Sequence, residues 1–327
     1  MSGARLMWAV TFAAAVLPLA FAAFTQHAWE DYFITLRASR NLVEGHGLVF
    51  NPGERVHTFT SPLGVLLPAL CTAIAGVPRE ELALWLFRAL NATLLGASAW
   101  LVWRRATAAR VGAVGGVLLF GLIFTDAKLI DFSINGMETA ILAFFVLLLW
   151  SELEAPAGPR VPVLAAAVAG LMWTRPDAFI LGAALLLPRG LIRERRADAP
   201  PVPWSPLVRG VLLGGLLYVP WFAWAWWYYG TPVPHTVTAK AAYTAPVQWA
   251  HLAQLPWLTL TGRSALLDLF LPSYSSFGGW PAFLPRVAHA LGGIAAFAWL
   301  VPRFSVTARR ASLAVFIGMF YLESIIL

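Results

Sequence analysis

Long apolar stretches recur along the whole chain, and short segments rich in proline, glycine and charged side chains separate them. Stretches near 20 residues can cross roughly 30 Å of hydrocarbon as a helix. Only helices satisfy every backbone N–H and C=O within their own segment in lipid. The pattern therefore predicts an all-α fold, a polytopic bundle of about nine spans forming a single domain over 1–327. The candidate spans are 6–24, 81–103, 111–127, 138–151, 161–173, 177–188, 207–229, 284–302 and 311–327.

One further apolar stretch, 61–77, contains Pro62 and Pro68 and would be about 26 Å long as a helix, slightly short for a crossing. Arginine clusters follow or precede many of the candidate spans, and positive loops favour the cytoplasm. If 61–77 lies at the outer interface without crossing, all these clusters share the cytoplasmic side. This choice predicts juxtamembrane helices in a first outer loop, 25–80, and further outer segments at 126–137, 174–177 and 230–283.

Composition supports a membrane protein and weakens other classes. Hydrophobic residues make up 59% of the chain and charged residues 12%, whereas soluble domains carry about 25% charged residues. The net charge of +7 does not indicate nucleic-acid binding, because the arginines are spread over short loops. The single cysteine, Cys71, excludes an intramolecular disulfide.

The two ends of the chain each allow two interpretations. Arg5, an apolar stretch and Ala20-Phe21-Ala22 resemble a signal peptide, but the many later spans favour an uncleaved first span. Leu327 lies inside the ninth candidate span. The chain is therefore either a fragment of a longer protein or a protein with a short C-terminal half.

The first outer loop begins with two adjacent acids, Glu30 and Asp31, at the end of the first span. One carboxylate could act as a general base towards a hydroxyl, and the pair could hold Mg²⁺ or Mn²⁺ against a phosphate. The alternative is that both acids simply mark the water boundary of the span. An amphipathic helix should follow, with Arg37 and Arg40 on its polar face.

The later outer segments contribute single charged side chains. Glu138 could cap the next helix, or it could orient a sugar hydroxyl or a metal. Arg175 could reach the interface, hold Asp177 or bind phosphate bidentately. Lys240 and His235 follow a proline-constrained turn. The histidines lack a ligand spacing typical of zinc sites.

Four segments together resemble the polytopic GT-C glycosyltransferases, and most closely the branch with the bacterial terminal arabinofuranosyltransferases. The first segment, 30–62, has two acids, an arginine-rich helix and E-G-H-G-L-V-F-N-P-G-E at 44–54. The others are G-M-E-T at 136–139, R-P-D at 175–177 and Y-G-T-P-V-P-H-T at 229–236 with Ala239-Lys240. The likeness covers about residues 1–245. Glu30 replaces a usual aspartate, and His235 replaces a frequent asparagine.

The resemblance implies a sugar transferase that works on the outer face of the cytoplasmic membrane. Its donor would be a pentose or hexose on polyprenyl phosphate, and its acceptor a cell-envelope glycan, lipid or protein. Asp31 or Glu30 would be the general base or metal ligand, and direct displacement would invert the anomeric centre. The resemblance and the segments together predict contacts to the donor phosphate or sugar from these residues: Arg37, Arg40, Glu138, Arg175, His235 and Lys240.

Two other classes stay open on the sequence alone. A transporter or lipid flippase would place ionisable groups within the membrane, where Arg88 is the clear intramembrane cation of a long span. A catalytically inactive membrane scaffold would keep the fold without transferring a sugar.

Overall fold

The structure is a computed structural model that describes residues 3–155, 157–192, 204–241, 257 and 283–325. Within these ranges the regular structure consists of α-helices and short 3₁₀ turns, and no β-strand occurs there. The prediction of an all-α fold is therefore confirmed for the described part of the chain.

The helices follow the apolar stretches, and most are joined by short connections. Eleven are labelled here: α1 (Gly3–Thr25), α2 (Glu30–Val43), α3 (Pro62–Ala75), α4 (Glu80–Ala108), α5 (Ala113–Phe124), α6 (Ala127–Ile134), α7 (Thr139–Leu153), α8 (Val161–Thr174), α9 (Phe179–Leu191), α10 (Trp204–Tyr229) and α11 (His235–Ala241). Two further helices cover Phe283–Ala296 and Val306–Ile325.

Local sequence explains several of the helix ends. The hydroxyl of Ser61 accepts a hydrogen bond from the backbone N–H of Gly64 at 2.8 Å, and Pro62 follows as the first residue of α3. Gly76 ends α3 with a φ of +86°, which glycine adopts without steric cost. Asp126 caps α6 in the same way, through the N–H of Leu129 at 2.8 Å. This cap breaks the predicted span 111–127 into two helices.

Only some of the helices that form at the predicted spans are long enough to cross a bilayer. Among the described residues, Gly3–Thr25, Glu80–Ala108 and Trp204–Tyr229 meet the requirement of length and apolar composition. Ala113–Phe124 and Ala127–Ile134 form a fourth span if this pair, bent by 56°, is counted as one. The 15 residues of α7 and the 14 of α8 reach only about 22 Å. The number of nine spans is therefore not confirmed.

Residue contacts divide the chain into two compact units. The first comprises Met1–Ala178 and Val208–Lys240, and the second comprises Phe179–Leu207 and Ala241–Leu327. The expectation of one domain over 1–327 stays a prediction. In the second unit α9 packs on the helix Val306–Ile325, where Arg310 donates from Nε to the carbonyl of Ile192 at 2.9 Å.

In the first unit α1 and α4 pack closely and run antiparallel. Ala22 packs near Ala92, and Val10 packs near Ala99. At Gly96 the position of an added Cβ would be 3.1 Å from the carbonyl oxygen of Thr11, so a glycine allows the two backbones to approach.

The other helices of the first unit run in two opposite directions, with α4 and α7 in one and α8 and α10 in the other. Phe87 of α4 packs with Ile141 of α7, while Arg105 at the far end of α4 donates to the hydroxyl of Ser151 at 2.8 Å. α8 returns from the Arg160–Glu152 ion pair to Arg175. α10 lies beside α8 and runs parallel to it, with Gly210 against Leu164 and Gly214 against Val168.

These directions give the first unit two distinct ends. We call one the arginine end, which holds the start of α1, the end of α4 and the start of α8, with Arg5, Arg104, Arg105 and Arg160. The other, which we call the α2 end, holds the starts of α2, α4 and α7 and the ends of α8 and α10. Both termini of α3 lie in the α2 end of the unit. Ala75 packs with Ala83 near the start of α4, and Gly64 lies near Glu138 at the start of α7. This position agrees with a stretch 61–77 that does not cross.

Candidate functional site

The two acids of the first outer loop form the first turn of α2. Glu30 and Asp31 are both exposed, and neither side chain makes a hydrogen bond or ion pair with a residue that the structure describes. Tyr32 and Leu36 anchor the opposite face of α2 in the core. A carboxylate in the first helical turn is stabilised by the helix dipole. Both acids are thus free to meet a substrate while the helix beneath them is fixed.

The chain just before the acids is tied to the segment between α6 and α7. The backbone N–H of Trp29 donates to the carbonyl of Asn135 at 3.0 Å, and its ring stacks on Phe132 with centroids 4.7 Å apart. Tyr32 packs against Gly136, where an added Cβ would be only 2.5 Å from the Cβ of Tyr32. The acids therefore lie beside a segment that reaches Glu138 two residues later.

Glu138 joins this segment to the hairpin after α8. Glu138 occupies the N-cap position of α7, but its side chain makes no capping hydrogen bond to that helix. Instead Arg175 donates from Nη1 to its Oε1 at 3.4 Å. The Glu138 side chain is 12% exposed, and burial raises the pKa of its carboxyl, although a backbone hydrogen bond and the charge of Arg175 act in the opposite direction.

Arg175 is held mainly by Asp177. Its Nε and Nη2 donate to the two carboxylate oxygens of Asp177 at 3.0 Å each, which is the paired geometry expected for arginine and carboxylate. The side chain is 38% exposed. A guanidinium has five N–H bonds, and three of them point to Asp177 and Glu138. The other two N–H bonds meet no acceptor in the part of the chain that the structure describes, and they are available to another oxygen.

The start of α3 borders the same cluster. An added Cβ on Gly64 would lie 3.5 Å from Oε2 of Glu138, so the first turn of α3 and the carboxylate are neighbours. The structure thus brings together three of the four segments quoted above: the start of α2, the G-M-E-T segment and the R-P-D hairpin.

The fourth segment is attached to the first loop by a pair of histidines. The backbone N–H of His57 donates to Nδ1 of His235 at 3.0 Å, and the N–H of His235 donates to the carbonyl of His57 at 2.9 Å. The ring of His57 stacks on Tyr229, with centroids 4.5 Å apart. His235 begins α11, and Lys240 lies near its end. His235 thus has a structural contact that sequence analysis did not anticipate.

Arg37 and Arg40 are engaged by the protein itself. Arg37 donates to the carbonyl of Phe50 at 3.0 Å and lies over the Phe50 ring, 4.4 Å from its centroid. Arg40 forms ion pairs with Glu44 at 3.0 Å and Glu80 at 2.8 Å. With Phe33, Leu36, Asn41, Glu44 and Glu80, both arginines line a cavity of about 350 Å³. A phosphate contact by either arginine stays a prediction, and at Arg40 the two carboxylates would compete with it.

The fit of a divalent cation rests on Glu30 and Asp31. Among the described residues no group of three or more His, Cys, Asp or Glu side chains is arranged to hold a metal ion. Mg²⁺ is commonly bound by one or two carboxylates together with substrate phosphates and water. The two acids fit that mode of binding, and a metal requirement stays a prediction.

An apolar helix bundle with free carboxylates and an oriented arginine at one end defines a membrane protein with a polar site at its surface. Two curated proteins resemble it. One is the terminal beta-(1->2)-arabinofuranosyltransferase of Corynebacterium glutamicum, with 29% identity over 273 residues, covering 75% of this chain and 38% of that protein. The other has the same name and comes from Mycobacterium tuberculosis, with 32% identity over 240 residues, covering 66% of this chain and 36% of that protein.

The chain is therefore a distant relative of terminal arabinofuranosyltransferases, which agrees with the resemblance found in its motifs. It spans well under half the length of both relatives, 38% and 36%. No protein-family model matches the chain, and no solved structure matches it.

Proposed function

We propose that this protein is a membrane glycosyltransferase. It moves a pentose or hexose from a polyprenyl-phosphate donor to a glycan, lipid or protein acceptor of the cell envelope. The reaction takes place on the outer face of the cytoplasmic membrane. The likeness to two arabinofuranosyltransferases supports the class of reaction. Arabinofuranose is the first sugar to test.

One observation carries the proposal. Glu30 and Asp31 at the start of α2 have no partner among the described residues, and two N–H bonds of Arg175 have none there either. These groups belong to one chain of contacts at the α2 end. Trp29 contacts Asn135, Glu138 follows in sequence, and Glu138 pairs with Arg175. A transferase that uses a phosphate leaving group needs a proton acceptor and a cationic group within one site.

The acids act on the acceptor. The hydroxyl oxygen of the acceptor attacks the anomeric carbon of the sugar, while Asp31 or Glu30 takes the hydroxyl proton. The bond between the anomeric carbon and the phosphate oxygen breaks, and its electron pair leaves with the lipid phosphate. A single displacement of this kind inverts the anomeric centre.

Arg175 acts on the leaving group. Its two free N–H bonds donate to phosphate oxygens, where negative charge grows during bond cleavage. Asp177 and Glu138 keep the guanidinium in one orientation, which lowers the entropy lost when the phosphate binds. Lys240, His235 and the loop arginines Arg37 and Arg40 contribute further donor contacts. A divalent cation, when bound to the acids, would add neutralising charge near the phosphate.

The test uses the purified full chain in liposomes with labelled polyprenyl-phosphate arabinofuranose and, separately, a hexose donor. Asp31→Asn or Glu30→Gln should lower kcat by about 10²-fold or more for the residue that serves as base. Arg175→Lys should lower it as well, because lysine has no planar fork. Glu81→Gln is the matched control, since Glu81 is an exposed acid in the first turn of α4.

Full activity in both acid variants would remove the acids from the mechanism. Lipid movement across the membrane without sugar transfer would show a flippase, and no turnover with any donor would indicate a scaffold. Mass spectrometry of co-purified lipids provides an independent check, because a bound polyprenyl-phosphate sugar identifies both the class and the donor.

A further inference from the structure

Arg88 is a buried cation in the first third of the membrane-spanning helix α4. It is only 2% exposed, and no carboxylate lies within ion-pair distance of it among the described residues. A charged side chain at such a position is costly unless polar groups surround it. Its guanidinium therefore needs other partners, and their identity indicates its role.

The partners of Arg88 are oxygens from the ends of two helices. Nη2 donates to the carbonyl of His27 at 2.6 Å, just after α1, and Nε donates to the carbonyl of Ile134 at 3.3 Å, at the end of α6. Nη2 also lies 3.5 Å from Oδ1 of Asn135, and the Trp85 ring covers the guanidinium with its centroid 4.7 Å away. Carbonyls at helix C-termini carry partial negative charge, which a cation stabilises.

These contacts lie where the chain turns from α1 into α2, next to the end of α6. We call this turn and its contacts the corner; it consists of Arg88, His27, Trp29, Ile134 and Asn135. The carbonyl of Asn135 accepts the N–H of Trp29 at 3.0 Å, so Arg88 and Trp29 hold the same short segment. Glu30 and Asp31 follow Trp29 directly, as the first two residues of α2. The direction in which α2 leaves α1, and with it the position of both carboxylates, depends on this corner.

We propose that Arg88 is a positioning residue, which fixes the corner between α1, α6 and α2 and thereby places the carboxylates for transfer. It touches backbone and amide oxygens rather than substrate, so it acts through the acids. The catalytic part of this proposal rests on the proposed function above. The structural part, the orientation of the start of α2, can be measured without any turnover.

The structural test uses two nitroxide labels in liposomes, at Ile34→Cys on α2 and Glu81→Cys on α4, both exposed positions. The background is Cys71→Ala, since Cys71 is the only cysteine. Arg88→Met should broaden the distribution of label distances, and Arg88→Lys should restore part of the narrow distribution. Asn135→Ala removes the amide contact to Arg88 and keeps the charge of Arg88. If Arg88→Met does not fold, the label distances in Asn135→Ala provide the test.

Arg105→Met is the matched control. Arg105 lies on the same helix and also donates to a backbone carbonyl, that of Glu154, but at the arginine end. It should leave the label distribution narrow. An unchanged distribution in both Arg88→Met and Asn135→Ala would overturn the proposal, and so would equal broadening in Arg105→Met.

The kinetic test separates positioning from binding. Arg88→Met should lower kcat by about 10²-fold while the donor KM changes by less than about threefold, because a displacement near 1 Å suffices for such a loss. Arg88→Lys should recover part of kcat. An unchanged kcat in Arg88→Met together with a broadened distribution would refute the catalytic part. If the parent protein transfers no sugar, the proposed function fails, and the label distances still decide whether Arg88 sets the corner.

Discussion

At the scale of single residues, His57 links two segments that are far apart in sequence. Its ring is 2% exposed and lies among Phe59, Trp221 and Tyr229, and its Nδ1 has no hydrogen-bond partner among the described residues. Burial, and to a lesser degree the neighbouring His235, lowers the pKa of His57 to about 4. The neutral ring is therefore part of the folded state.

This burial predicts a loss of stability in mild acid. Between pH 6.5 and pH 4 the unfolded chain binds a proton at His57 and the folded chain does not, so stability falls as the pH decreases. The expected loss from pH 7 to pH 5 is roughly 2 kcal/mol of unfolding free energy. Unfolding of the detergent-solubilised protein at both pH values measures it. His57→Phe should remove this part of the pH dependence.

The control for this prediction is His46→Phe, which removes a half-exposed imidazole from the same loop. Other groups titrate in the parent and in each variant, so the quantity compared is the change of unfolding free energy with pH. His46→Phe should keep the slope of the parent. Equal slopes for the parent and His57→Phe would contradict the prediction.

The sequence indicated some of these residues and not others. Glu30, Asp31 and Arg175 stand out because charges are rare in an apolar chain. Of the three alternatives for Arg175, the one in which it holds Asp177 is confirmed. The link between His57 and His235 could not be predicted, since 178 positions separate them and His57 makes the contact through its backbone N–H and carbonyl.

At the scale of elements, Gly136 allows α2 to reach the segment before α7. Its φ is +104°, and an added Cβ would lie 2.5 Å from Cβ and Cγ of Tyr32. These atoms are close to the backbone of α2, so they cannot move aside without shifting the helix. The contact fixes the position of α2, and hence that of Glu30 and Asp31, relative to Glu138.

Gly136→Ala should therefore destabilise the fold more than a change of backbone preference alone. Gly53 is the matched control, because its φ is +89° and nothing lies within 4 Å of an added Cβ. Gly53→Ala should cost about 1 kcal/mol, and Gly136→Ala about 1–3 kcal/mol more. Thermal or denaturant unfolding in detergent measures both. Equal losses would show that Tyr32 and Gly136 are not in tight contact.

The length of the apolar stretches predicted most of the helices. The prediction was wrong where a helix cap divides an apolar stretch. The predicted span 138–151 corresponds to α7 (Thr139–Leu153), and 161–173 corresponds to α8 (Val161–Thr174). The predicted span 111–127 is divided at Thr125-Asp126, because the carboxylate of Asp126 starts a new helix in a new direction. Hydrophobicity alone does not register such a break.

At the scale of the whole molecule, helix directions in the first unit put the polar segments at one end. The acids of α2, Glu138, Arg175 and α11 lie at the α2 end, and Arg105 and Arg160 lie at the opposite end. The positive-inside rule predicted this separation from charge alone. Span number was harder to predict, since α7 and α8, with 15 and 14 residues, are shorter than the length needed to cross a bilayer.

The separation of ends predicts which residues are accessible from each side of the membrane. Single cysteines at His46 and Val233, both exposed near the α2 end, should react in intact cells with a thiol reagent that cannot cross membranes. Cysteines at Ala109 and Ala157, exposed at the arginine end, should react only after permeabilisation. The background is Cys71→Ala, and total labelling after permeabilisation controls for expression. Reaction of His46→Cys and Val233→Cys from opposite sides would separate the acids from the His235 segment. A single site could then no longer include both groups, because the contacts that join them require one shared compartment.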